Sequence, residues 1–262
     1  GSNIKKTWQG LISATSGISK VTDFNTDDLP CKVAGLVYET DDDSGFNYEK
    51  YLSPKEARRN DKFIIYGVGA SVQAIEDSGW KPNKQKDLEA TGILIGSGIG
   101  GLATIEQNSI LVHEQGAKKL SPFFIPSSLV NLLPGVVAMK YGFQGPNLSI
   151  VSACATGAHA IGEAARIIQN GEASVMIAGG AEAAVCRIGM AGFAAAKTLS
   201  THFNDTPEKA SRPWSKDRDG FVMGNGAGIL VLEEYEHAKK RNAKIYAELI
   251  GYGATGDAHH IT

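Results

Sequence analysis

The sequence predicts an α/β fold with a largely parallel or mixed sheet. Two patterns carry this reading. Thr91-Gly92-Ile93-Leu94-Ile95 and Ala173-Ser174-Val175-Met176-Ile177-Ala178 contain near-continuous apolar runs, the composition of strands covered on both faces. Segments of helical periodicity alternate with them, as in a sheet that carries its helices on its faces. The 262 residues are 42% hydrophobic and 21% charged, enough for a sizeable core. No internal repeat divides the chain.

Ile4 to Ile12 places Ile4, Trp8, Leu11 and Ile12 on one helical face. Residues 13–47 are rich in Ser, Asp, Thr and Gly, with a strand expected near Lys32 to Tyr38 and a solvated acidic loop at Glu39 to Asp43. Ser53-Pro54-Lys55-Glu56 is a helix start, with Ser53 as N-cap, Pro54 in the first turn and Glu56 completing a capping box. On that helix Lys55, Arg58, Arg59 and Lys62 share one face. Such a stripe is either a solvated surface or a dock for an acidic partner. A longer helix follows from Phe63 to Ser78, ended by Gly79-Trp80-Lys81-Pro82.

After the strand at Thr91, Gly96, Gly98 and Gly101 match the dinucleotide-binding pattern G-x-G-x-x-G. The second strand and acidic residue of that unit do not follow, because Leu102 to Gln115 stays helical and polar. A tight strand-to-helix turn beside a cavity is therefore the expected structure, and a nucleotide-binding oxidoreductase a remote alternative. Lys118 to Pro126 reads as an irregular basic and aromatic loop, and Ser127-Ser128 as the cap of a helix from Leu129 to Tyr141.

Asn147 to Arg166 reads as a short buried strand turning sharply into a helix, with Cys154 at the junction. Small neighbours leave room for a substrate to approach the sulfur. The start of a helix favours the thiolate, as a cysteine nucleophile requires. The Cys154 N–H would also be an oxyanion donor. By helical geometry His159 points about 140° away from Cys154, so it serves packing or hydrogen bonding and not as the base. Downstream come a C-cap at Asn170-Gly171, the strand at Ala173, a polar loop over 200–212, and a strand from Gly226 to Glu233. A charged helix from Glu233 to Arg241 and a last strand from Lys244 to Ile250 complete the order.

A net charge of −2 gives no general pull toward nucleic acid or membrane. Cys31, Cys154 and Cys186 form no CxxC pair, which argues against a disulfide scaffold or thiolate zinc site and fits a reducing compartment. No signal peptide or apolar run of membrane-spanning length is visible, so the cytoplasm is the expected location, without membrane insertion.

In combination, several stretches resemble the β-ketoacyl-acyl carrier protein synthases of type II, the elongating condensing enzymes of fatty-acid synthesis. They are Gly96 to Gly101, Ser121 to Pro126, Gly145-Pro146 through Cys154, Ala178 to Glu182, Ser211 to Trp214, and Arg218 to Val222 with Gly224 to Gly228. The resemblance runs along essentially the whole chain. It implies the N-terminal half of a thiolase-like fold, a layered α/β unit of βαβαβαββ type, over residues 1–246. Residues 247–262 would begin the second half. The family's first strand and most of its second half, with two catalytic histidines, find no counterpart in these residues, so residues 1–262 alone are expected not to complete a condensation. Asn225 stands where an acidic residue is common, and the loop from His202 to Pro207 is longer than in the family.

The resemblance implies that Cys154 accepts an acyl chain, that Ile99 and Phe193 line the acyl pocket, and that Phe193 acts as a gate. It also implies docking of acidic acyl carrier protein on Lys55, Arg58, Arg59, Lys118, Lys119 and Lys197. The substrates ride on the carrier's phosphopantetheine; no cofactor or metal of the chain's own is expected, and the enzyme would be a homodimer. A non-catalytic subunit of the same fold is the alternative.

Overall fold

The computed structural model describes residues 1–41 and 45–259. Its centre is a four-stranded sheet of β3 (Thr91–Gly96), β4 (Asn147–Leu148), β5 (Val175–Glu182) and β6 (Gly226–Glu233), in the order β4-β3-β5-β6. β3 runs parallel to β4 and β5, and β6 runs antiparallel to β5. The sheet is therefore mixed. A separate hairpin pairs β1 (Ile18–Lys20) with β2 (Val33–Gly35).

Strand alternation sorts the central side chains onto two faces. Ile93, Ile95, Val175 and Ile177 join a core with Phe63, Ile64, Val68 and Ile75 of α3 (Lys62–Ser78). Leu133 and Val137 of α7 (Leu132–Tyr141) extend it. Leu94, Met176 and Ala178 point the other way, onto Ala160 and Ala164 of α8 (Thr156–Gln169). Both faces of β3 and β5 are thus covered, which is why their sequences are apolar at consecutive positions. A third core beneath the β1–β2 hairpin includes Cys31, Val33, Met190 and Leu199.

The remaining helices are α1 (Ile4–Ile12), α2 (Pro54–Ala57), α4 (Gln85–Glu89), α5 (Leu102–Gln115), α6 (Phe124–Ser128), α9 (Arg187–Ala195) and α10 (Tyr235–Lys240). α1 is capped by Asn3 as a helix should be, but its apolar face is exposed, with Ile4 80% and Trp8 60% accessible.

Several expectations need correction. The capping box at Ser53 and Glu56 forms, yet α2 ends at Ala57. Arg59 N and Asn60 N donate to carbonyls three residues back, and Asp61 caps a new helix through Phe63 N, so the four basic residues do not share one helical face. Lys62 instead pairs with Glu39 at 2.9 Å. Glu39 also accepts the Tyr66 hydroxyl at 2.8 Å, so the acidic segment is tied down at its start; Asp42 and Asp43 lie outside the described residues. Of the strand expected near Lys32 to Tyr38, only Val33–Gly35 pairs.

Ser127 and Ser128 cap no following helix. Both hydroxyls donate back to Phe124 O, closing α6 inside the expected loop, and α7 starts later, at Leu132. β5 continues through Gly179 to Glu182 because β6 pairs with it along its whole length. Lys244 to Ile250 is not a strand. Among the described residues no neighbouring strand takes its hydrogen bonds, and Tyr246 and Ile250 are 72% and 94% exposed. β4 is shorter than expected and lies at the sheet edge, where Asn147 and Leu148 are exposed instead of buried.

Candidate active site

The parallel strands β3 and β4 lead their chain ends to the same side of the sheet, the side on which open α/β sheets place their sites. Cys154 is found there, in a 3₁₀ turn (Ala153–Ala155) that runs directly into α8. The turn is tied on itself. Ala155 N donates to Ser152 O at 3.1 Å, and Ser152 N donates to the Thr156 hydroxyl at 2.8 Å. Ala153 is held at φ 49°, in the left-handed region that alanine seldom enters. Such strain persists only where surrounding contacts over-determine it, and it concentrates at functional sites.

Cys154 is exposed, whereas Cys31 and Cys186 are buried. Burial pushes the Cys31 thiol up from its ordinary value, and pushes Cys186 up to about 11 with help from the nearby Glu106 charge. Both buried thiols are therefore protonated at neutral pH, leaving Cys154 as the accessible candidate. Among the described residues no hydrogen bond uses the Cys154 N–H, so this donor beside the sulfur is open to a substrate oxygen.

The glycine turn after β3 packs against this cysteine turn. A Cβ at Gly96 would collide with Ile150 O and Thr156 Cγ2, and one at Gly98 would stand 3.4 Å from Ala153 O. The glycines thus let two backbones meet. Glu182, the last residue of β5, fills the place an anionic ligand would need. Its carboxylate accepts the Ser97 hydroxyl at 2.9 Å and Ile99 N at 3.1 Å. Two of the turn's donors are spent on the chain's own carboxylate, and Gly100 N and Gly101 N on Ser97 Oγ and Ser128 O, which speaks against a phosphate cradle. The sequence pattern assigns Glu182 no role of its own; a carboxylate closing a glycine-rich strand is the signal that points to it.

His159 sits one turn into α8 and shares a 2.7 Å hydrogen bond, through Nδ1, with the Ser152 hydroxyl. It is a hydrogen-bonding histidine, as its spacing predicts.

The two expected pocket residues occupy different elements. Ile99 is on the glycine turn, 39% exposed. Phe193 is half-buried on α9, its ring perpendicular to that of Phe221 at 5.3 Å. Glu106 of α5 accepts Ile188 N at 2.9 Å and so fastens α9 to the helix that follows Ile99. Clefts of about 230 and 480 Å³ lie elsewhere, beside Tyr51 and Trp80, and neither is bordered by Cys154, Ile99 or Phe193.

The basic residues are exposed at Lys55, Arg58, Lys118, Lys119 and Lys197, and half-exposed at Arg59. Arg59 stacks on Phe123, which brings the segment after α2 to the loop that follows Lys118 and Lys119. Lys197, just past α9, holds a left-handed φ of 56°. No helix among the described residues is long and apolar enough to cross a membrane.

A family model described as the N-terminal domain of beta-ketoacyl synthase matches residues 1–238. A 3-oxoacyl-[acyl-carrier-protein] synthase 2 of Rhizobium meliloti is 52% identical over the whole chain, which covers 62% of that relative. The mitochondrial 3-oxoacyl-[acyl-carrier-protein] synthase of Arabidopsis thaliana is 48% identical, with 59% of it covered. Among solved structures, a beta-ketoacyl synthase from Burkholderia phymatum superimposes with a TM-score of 0.88 at 29% identity, over all of this chain and 62% of that one. A type II polyketide ketosynthase, in complex with its acyl-carrier protein and bound to a hexaketide, gives 0.83 at 29% identity over 100% and 61%. The chain thus spans less than two thirds of the length of these relatives.

Proposed function

The chain belongs to the beta-ketoacyl synthase family, and from that premise we propose that it carries the acyl-accepting cysteine of a condensing enzyme of fatty-acid elongation. The observation that carries the proposal is Cys154: an exposed thiol at a strained strand-to-helix turn, beside an open backbone donor. In the proposed reaction Cys154 Sγ attacks the thioester carbonyl of an acyl group on a carrier's phosphopantetheine. The bond from that carbonyl to the carrier sulfur breaks, and the carrier thiol leaves with the proton. The Cys154 N–H faces the negative charge that develops on the carbonyl oxygen.

Malonyl-carrier then loses carbon dioxide, and its carbanion attacks the cysteine-bound acyl carbonyl. A carbon–carbon bond forms, the bond to Sγ breaks, and β-ketoacyl-carrier is released. Ile99 and Phe193 are proposed to line the acyl chain's path, as aliphatic and aromatic side chains suit an apolar substrate.

An acidic carrier would be drawn to Lys55, Arg58, Arg59, Lys118, Lys119 and Lys197, with rim charges acting mainly on encounter rate. The carrier complex of the polyketide ketosynthase supports this class of partner. The exposed edge strand β4, with Leu148 52% accessible, and Val151 just beyond it, 58% accessible, support pairing with a second copy. A cytoplasmic location, with substrates on the carrier and no cofactor of the protein's own, completes the proposal. The exposed thiol and open donor favour it over a non-catalytic subunit of the same fold.

The test is a condensation assay with the full-length protein, acyl-carrier and malonyl-carrier. β-Ketoacyl-carrier and one equivalent of carbon dioxide are expected; decarboxylation without chain extension contradicts the proposal.

A further inference from the structure

We propose that His159 is a positioning residue that holds the Cys154 turn through Ser152, with Tyr252 bracing the imidazole. The inference rests on Cys154 being the reactive thiol. Ser152 lies two residues before Cys154 and is restrained at three points. Its N–H donates to Thr156 Oγ1 at 2.8 Å, its carbonyl accepts Ala155 N at 3.1 Å, and its hydroxyl meets His159 Nδ1 at 2.7 Å. The first two bonds are local and close the turn on itself. The third anchors the turn to the body of α8, seven residues along the chain. Between Ser152 and Cys154 stands Ala153 at φ 49°. A strained residue relaxes unless both flanks are held; the chain runs from Cys154 directly into α8, and the Ser152–His159 bond, beside the one to Thr156, ties the other flank to the same helix.

The imidazole is in turn placed by a distant segment. The Tyr252 ring lies across α8 so closely that a Cβ at Gly162 would collide with its Cδ2 and Cε2. It is perpendicular to the His159 ring, with centroids 6.4 Å apart, and the Arg166 guanidinium covers it at 4.9 Å. Three residues at one-turn intervals, His159, Gly162 and Arg166, thus form the seat of one tyrosine. This seat explains a glycine inside a helix, where it is otherwise unfavourable. It also joins the irregular segment after α10 to the turn that presents the thiol.

The test is the rate of carboxamidomethylation of Cys154 by iodoacetamide in the full-length protein, located by peptide mass spectrometry. This probe needs no carrier. Ser152→Ala and His159→Phe each remove one side of the bond and are expected to slow the reaction about fivefold, a modest share of the roughly hundredfold that misplacement of a reactive group can cost. The double variant should be no slower than either single one, since both remove the same interaction. His159→Asn, which keeps a polar atom near the Nδ1 position, should restore most of the rate, whereas a merely structural role would leave it as slow as His159→Phe. A wild-type rate in His159→Phe, or multiplying effects in the double variant, would overturn the proposal. If wild-type Cys154 accepts no acyl group from a carrier, the functional reading fails, while the alkylation series still reports on the clamp.

Discussion

The guanidinium of Arg59 lies over the ring of Phe123, its central carbon 4.3 Å from the ring centroid. This contact joins two basic segments that the chain separates by some sixty residues. Helical spacing alone suggests one charged face on one helix. The folded chain breaks that helix at Ala57 and gathers part of the charge by stacking instead.

Arg58 and Arg59 should therefore respond differently to substitution. Arg58→Glu is expected to slow acyl loading from a carrier and flatten its salt dependence, with thermal stability unchanged. Arg59→Ala should slow loading too, and lose about 1 kcal/mol from the stacked contact. Loading rates across ionic strengths, with melting curves, check both. A salt dependence equal to wild type in Arg58→Glu would count against docking at this face.

The glycine turn gives a paired prediction about packing. Gly96→Ala forces a Cβ against Ile150 O and Thr156 Cγ2 and should cost about 1–3 kcal/mol. Gly192→Ala, within α9 and with nothing inside 4 Å, should be neutral or stabilising by up to about 1 kcal/mol. Denaturant unfolding of the two variants reads the contrast directly.

Glu182 is expected to matter for order and not for nucleotides. Glu182→Ala strands the Ile99 N–H and the Ser97 hydroxyl and should cost about 1.5–3 kcal/mol. A titration of the wild-type protein with NAD should be blank. Saturable binding would revive the dinucleotide reading of Gly96, Gly98 and Gly101.

Asp219 supplies a pH prediction. Burial pushes its carboxyl up, but bonds from the Ser200 hydroxyl, His202 N and Thr201 N outweigh this and leave it below its ordinary value. A lowered folded-state value stabilises the protein above the unfolded value, about 3.9, and that contribution fades as pH falls through the folded one. The stability gap between wild type and Asp219→Asn should be present at about pH 5 and close below about pH 4. Unfolding curves over that range check it; a gap that widens as pH falls below about 4 contradicts the assignment.

The sheet is legible in the sequence because burial on both faces writes itself as consecutive apolar residues, as at Ile93 to Ile95 and Val175 to Ala178. Cys154 stands out in the sequence because small residues flank it at a strand-to-helix boundary, but that placement alone also fits an inert packing cysteine, and the resemblance of Gly145 through Cys154 to the condensing enzymes singles it out. What escapes depends on contacts distant in sequence. The length of β5 is set by its partner β6, the end of α2 by the cap at Asp61, and the state of the glycine turn by Glu182. The apolar run at Lys244 to Ile250 has strand composition but no strand beside it among the described residues, and composition cannot supply a partner.

The central claim is that Cys154 is the residue that accepts the acyl group. Its most direct test is peptide mass spectrometry of the full-length protein after incubation with an acyl-loaded carrier. One acyl adduct is expected, on the peptide containing Cys154 and absent from Cys154→Ala. An adduct on Cys31 or Cys186, or loading that persists in Cys154→Ala, would contradict it.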